Sequence, residues 1–152
     1  MRQLKMGNVV SVREQPMILE RVVYCSTASG PTESLLFISQ ILGVSERNNA
    51  RDELTGALAV SDGWFLQVIE GLPHRVDHLL ARLEADRRHK NIEILQRRPI
   101  AARLFTNWSM VSVRVTPDLG PALLRLIDEC RVSPDAAIAG LLEILALETA
   151  KS

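Results

Sequence analysis

The chain has 152 residues, 47% hydrophobic and 24% charged, as expected for one ordinary soluble globular domain with a sizeable core. Its 18 Lys and Arg balance 18 Asp and Glu, so no global field points to nucleic acid or a membrane as the main partner. No apolar run approaches the roughly eighteen residues of a membrane span, and the N-terminus lacks the apolar stretch of a signal peptide, so a cytoplasmic location is expected.

Residues 1–17 show no clear period and read as an N-terminal extension; the core is expected over 18–115 and a helical cap over 116–152. Arg21-Val22-Val23-Tyr24-Cys25-Ser26 is a first predicted strand, and Ser26 to Gly30 a loop. Pro31-Thr32-Glu33 then opens a helix, with proline early and a carboxylate in the first turn. Leu35, Ile38 and Leu42 mark its inward stripe, which continues to Asn49; Asn48 follows Ile41 at the same seven-residue spacing.

Leu54 to Ser61 is the second strand, and Asp62-Gly63 the two-residue turn into the third, Trp64 to Glu70. That third strand is apolar on both sides, with Trp64, Leu66 and Val68 on one face and Phe65 and Ile69 on the other, which marks a doubly covered central strand. Gln67 stands in the middle of the second face. A buried amide left unpaired costs roughly 1–3 kcal/mol, so a partner is required: neighbouring backbone, Tyr24, or a polar-edged ligand.

Pro73 starts a second helix with Val76, Leu79, Leu80 and Leu83 in register, and the same spacing puts Arg82, Asp86 and His89 on another face. Ile92 to Arg98 and Trp108 to Val113 are the fourth and fifth strands, with Trp108 and Met110 pointing the same way. Two helices close the chain, one carrying Leu123, Leu124 and Ile127. The other is capped by Ser133-Pro134-Asp135 and carries Ile138, Leu141, Leu142 and Leu145. The order βαββαββ predicts an α+β, ferredoxin-like sandwich. Its five-stranded mixed sheet has two helices on one face and the C-terminal pair on the other.

Tyr24, Asn49 and Gln67 are thus expected to look inward around one flat cavity. Asn48 and Asn49 suit a heterocycle with alternating carbonyls and ring N–H groups, or else cap the helix end. Cys25 and Cys130 show neither metal nor disulfide spacing and read as small buried hydrophobes. Eight basic against four acidic residues between Arg75 and Arg103 form a local basic strip, read as a solvated face or a phosphate contact.

Taken in order, Arg21-Val22-Val23-Tyr24-Cys25-Ser26, Arg47-Asn48-Asn49, Leu54-Thr55-Gly56, Gly63-Trp64-Phe65-Leu66-Gln67-Val68-Ile69-Glu70-Gly71, Asp86-Arg87-Arg88-His89 and Phe105-Thr106-Asn107-Trp108-Ser109-Met110 resemble the BLUF family, sensors of blue light using flavin. The resemblance runs from about Leu19 to Val115. Departures are Leu54 where isoleucine is common, the acidic Asp52-Glu53 before it, and a different loop length before the first helix. None touches a matching pocket position.

The resemblance implies a flavin, FAD first with FMN or riboflavin as alternatives, lying between the two core helices. It implies that Asn49, with Asn48 beside it, bonds the pyrimidine edge, and that Gln67 stands between Tyr24 and the ring. Arg82, Asp86 and His89 would flank the ribityl-phosphate side, and Trp108 and Met110 would relay the signal. The implied function is a non-enzymatic photoreceptor, in which proton-coupled electron transfer from Tyr24 rearranges the hydrogen bonds of Gln67.

The ~35 residues after the core are fewer than a cyclase domain needs, so output is expected through a homo-oligomer or a protein effector, with cyclic-nucleotide turnover as one effector class. Two alternatives stand beside this reading. One is a light-independent ligand or interaction module. The other is an acylphosphatase-like enzyme using the Ser26–Gly30 loop as an anion nest, against which that loop carries no arginine or lysine.

Overall fold

A computed structural model describes residues 18–30, 47–61, 63–105, 111–114 and 120–151. Most of the first predicted helix, and both Trp108 and Met110, lie outside these residues. The first strand, β1, runs Leu19–Ala28, longer at both ends than its apolar run suggested. β2 (Thr55–Ser61) and β3 (Trp64–Gly71) form a hairpin in which Ser61 pairs with Trp64. Gly63, at φ +80, makes that turn without Cβ strain. Gly56 in β2 is needed for another reason: a Cβ there would stand 1.9 Å from the Val68 carbonyl oxygen.

β4 (His89–Ile100) pairs antiparallel with β1, and β5 (Val111–Arg114) pairs parallel with β2. The sheet order is β4-β1-β3-β2-β5, which puts β3 between β1 and β2 at the centre. All of β3 beyond Trp64 is buried. Cover on both faces is why this stretch is so rich in apolar side chains.

Alternation then divides the core in two. Val22, Leu58, Val60, Phe65 and Ile69 pack on one side against Val76 and Leu79 of α1 (Pro73–Ala85). Val23, Cys25, Ala57, Ala59, Leu66 and Val68 pack on the other. There they meet Leu123, Leu126, Ile127 and Cys130 of α2 (Gly120–Val132) and Ile138 and Leu141 of α3 (Pro134–Lys151). Each fully buried aliphatic side chain in these layers contributes about 1.5–3 kcal/mol of transfer free energy.

Two details depart from the sequence pattern. Leu124 and Leu142 are exposed, and Leu126 and Cys130 complete the inward stripe of α2 instead, because the sheet contacts a stripe rotated by one position. The second helix also stops at Ala85, so Asp86 and His89 do not share a helical face with Arg82. Asp86 adopts extended backbone, and its carboxylate accepts the Arg88 backbone N–H at 2.9 Å. That side-chain turn competes with the next helical hydrogen bond and delivers His89 to the start of β4.

Candidate functional site

On the α1 side of the sheet, Tyr24, Asn49, Gln67, Asp86 and His89 line one pocket with Leu58, Phe65, Leu79 and Leu83 as its apolar wall. Strand register brings the first pair together. Tyr24 faces Gln67 across the β1–β3 ladder, and the Tyr24 hydroxyl donates a hydrogen bond to Gln67 Oε1. Both residues are buried. Burial, and secondarily the Asp86 carboxylate, pushes the Tyr24 phenol well above its ordinary pKa, so it stays a proton donor.

Asn49 reaches the pocket from residues 47–51, which are helical. The backbone alone closes that helix end. Leu54 N–H bonds the Asn49 carbonyl at 2.9 Å and Glu53 N–H the Ala50 carbonyl at 3.3 Å, with Glu53 itself left-handed at φ 55. This is a Schellman closure, so the Asn49 side chain is not needed as a cap. Asn49 is 1% exposed, and neither its Oδ1 nor its Nδ2 meets a hydrogen-bonding partner among the described residues. A buried amide with both ends unsatisfied is expensive, and its free donor and acceptor fit the alternating edge of a flavin pyrimidine ring.

In the same pocket, His89 stacks edge-on to Phe65 with ring centroids 5.8 Å apart, and its Nδ1 lies 3.0 Å from Ser26 Oγ. Burial lowers the His89 pKa; Asp86 pulls it back up and Arg88 adds to the lowering. Asp86 is in turn gripped by Arg88 through both carboxylate oxygens, at 2.9 and 2.6 Å, and its pKa falls chiefly because of those bonds. The structure thus sets Arg88 beside the pocket through Asp86, a role the spacing pattern did not single out.

Arg82 points elsewhere: its Nη1 lies 3.0 Å from Asp52 Oδ2, and Asp52 also receives Arg51 and Arg75. Hydrogen bonds from Arg51 and Arg82 hold the Asp52 carboxyl down at about 2 against its burial. Asn48 is half-buried and is not among the pocket-lining residues.

A second polar cluster went unnoticed in the sequence. Glu70 is fully buried on β3, and its Oε2 takes Arg21 Nε at 2.9 Å and Nη2 at 2.8 Å. Glu70 Oε1 accepts the backbone N–H groups of Leu104 and Phe105, each at 2.9 Å. The visible signal was a pair of opposite charges, Arg21 and Glu70, inside two largely apolar strands.

An α+β sheet thus sets a phenol, an amide and an asparagine with no partner among the described residues around one cleft, the outline of a small-ligand-binding module. Comparison with known proteins narrows it: residues 19–111 match the sequence model of the family described as BLUF, sensors of blue-light using FAD. The chain belongs to that family. It is 32% identical over 93 residues to photoactivated adenylate cyclase subunit beta of Euglena longa, covering 60% of this chain and 11% of that protein. The match to the subunit of the same name from Euglena gracilis has the same extent and identity, so this chain spans about a tenth of the length of these curated relatives.

Among solved structures, the dark state of BlrB, a BLUF protein, superposes with a TM-score of 0.69 at 32% identity, covering 86% of this chain and 96% of that one. A bacterial light-regulated adenylyl cyclase superposes with a TM-score of 0.64 at 35% identity, covering 77% of this chain and 36% of that one. BLUF domains are flavin-based blue-light sensors. No helix among the described residues is long and apolar enough to cross a membrane.

Proposed function

We propose that the chain is a blue-light photoreceptor whose switch is the Tyr24–Gln67 pair and whose flavin, FAD by preference, is gripped at its pyrimidine edge by Asn49. When bound, a flavin supplies a chromophore that absorbs blue light and accepts an electron in its excited state. The supporting observation is the neutral Tyr24–Gln67 hydrogen bond beside an Asn49 amide that meets no partner among the described residues, in one pocket.

Tyr24 is oxidisable, and its hydroxyl proton is already aimed at Gln67 Oε1. Loss of an electron makes a phenol strongly acidic, so the bond offers that proton a route to the amide. Gln67 can present either its oxygen or its NH2 to the same neighbour, by rotation or tautomerisation. It therefore supports two networks close in energy. Asn48 stands beside Asn49 in this reading, while Asp86 and His89 guard the far end of the cleft; Arg82, engaged by Asp52, is left out of it.

Output leaves through β5 and the C-terminal helices, with Trp108 and Met110 as the relay, toward a protein effector of the cyclic-nucleotide class or through self-association. The proposal of that effector class follows the adenylate cyclase named in the relatives.

The deciding experiment is the absorption spectrum of the purified chain, supplied with FAD, before and after blue illumination. A yellow protein with a reversible spectral shift is expected. Tyr24→Phe should lose the reversible photoproduct while staying yellow. A colourless chain, or an unchanged photoproduct in Tyr24→Phe, would overturn the reading.

A further inference from the structure

The Gln67 and Glu70 side chains stand on opposite faces of the same strand. Gln67 shares its face with Phe65 and Ile69, against α1; Glu70 shares its face with Leu66 and Val68, against α2 and α3. The cross-strand partners repeat this spacing, since Tyr24 faces Gln67 and Arg21 faces Glu70.

Glu70 then reaches beyond the sheet. Its Oε1 holds the N–H groups of Leu104 and Phe105, just after β4 ends at Ile100. Arg103 fastens the same corner from the other side. Its guanidinium donates to the Glu70 carbonyl at 2.9 Å, to Thr55 Oγ1 at 2.8 Å and to the Glu53 carbonyl at 2.9 Å. Phe105 packs into the core layer formed by α2 and α3. From that corner the chain runs on to β5, which lies beside β2.

We propose that Glu70 is a positioning residue for signal output, tying the 103–105 corner to the strand that carries Gln67. The inference rests on the photoreceptor reading above. A surface corner free to slide would absorb a small displacement of β3. One held by a buried carboxylate with every oxygen engaged must move with the strand, because its bonds are short, charge-assisted and shielded from water. The clamp therefore carries a rearrangement from the pocket face to the face covered by α2 and α3. It needs no contact with the cofactor, so flavin binding should not depend on it.

The test uses the full chain loaded with FAD, as wild type, Glu70→Gln and Arg103→Ala. Glu70→Gln is nearly isosteric but presents an NH2 to Arg21 or to the corner amides. Arg103→Ala leaves the Arg21–Glu70 pair intact and serves if Glu70→Gln does not fold. Three quantities are read: flavin loading, the light-induced spectral shift with its dark recovery, and light-minus-dark hydrogen exchange across α2 and α3.

Loading and the shift should survive in the variants. The exchange difference in α2 and α3 should collapse in Glu70→Gln and shrink in Arg103→Ala, where the carboxylate still holds the corner. Dark recovery in Glu70→Gln should change by about tenfold, the factor that corresponds to one such hydrogen bond. A merely structural role would lower the melting temperature and leave the exchange difference in place; that result overturns the inference. So does a wild-type shift with no exchange difference in α2 and α3. A wild-type chain with no shift at all overturns the photoreceptor reading and takes this inference with it, and is recognised by the spectrum alone.

Discussion

Two polar pairs cross from β1 to β3 three residues apart, and they are built on opposite principles. Tyr24–Gln67 is neutral, joined through the Tyr24 hydroxyl, and borders an asparagine whose amide meets no partner among the described residues. Arg21–Glu70 is ionic, and its carboxylate is bonded at both oxygens, twice to the guanidinium and twice to backbone N–H groups. A neutral amide can exchange partners for little free energy, whereas a buried ion pair cannot lose a partner without stranding a charge. Placed on opposite faces of one strand, the first suits a switch and the second suits a lever.

The sharpest way to break this contrast is Gln67→Leu. Without the amide, the reversible light shift should vanish completely while flavin remains bound, as read by difference absorption; a full shift in that variant would remove Gln67 from the switch. Next in size, Glu70→Ala should cost about 3–5 kcal/mol of folding stability in urea titration, because Arg21 is left buried and uncompensated. Tyr24→Phe should cost only about 1 kcal/mol in the same assay, since one neutral bond is lost. Equal costs would erase the distinction between the pairs.

Asn49→Leu should sharpen it from the ligand side. Flavin affinity should fall about tenfold in a fluorescence titration, while the flavin-free chain loses no stability, because an unsatisfied amide has been replaced by apolar packing. A destabilised apoprotein with unchanged affinity would assign Asn49 to the scaffold.

The smallest effect concerns His89. Its folded pKa lies below the ordinary imidazole value because of burial, so the unfolded chain binds more protons between the two values. Stability should therefore fall as pH drops from the ordinary value of about 6.5 toward the folded one, and His89→Gln should flatten that slope in denaturation series. A wild-type slope unchanged by the substitution would place the titration elsewhere.

Much was legible in the linear pattern. Alternation in Trp64 to Ile69 showed a strand covered on both faces, and Asp62-Gly63 showed the hairpin, because side-chain direction in a strand follows from parity alone. Gln67 stood out as an amide in a dry place for the same reason. The end of α1 did not show: periodicity ran through Asp86 to His89, yet the Asp86 carboxylate turns back on Arg88 and ends the helix. Arg82 likewise looked like a pocket cation and instead bonds Asp52, a partner contributed by a segment thirty residues away.

By itself, then, the order of residues determined which strand positions face inward, where the hairpin turns, and the family to which the motifs belong, since all three depend on local spacing and side-chain chemistry. Only the tertiary structure decided that Asn49 meets no partner among the described residues, that Arg88 joins the pocket through Asp86, and that Glu70 bonds the Leu104 and Phe105 N–H groups. Those are outcomes of strand register and of which distant groups compete for one hydrogen-bonding atom, and no local spacing encodes that competition.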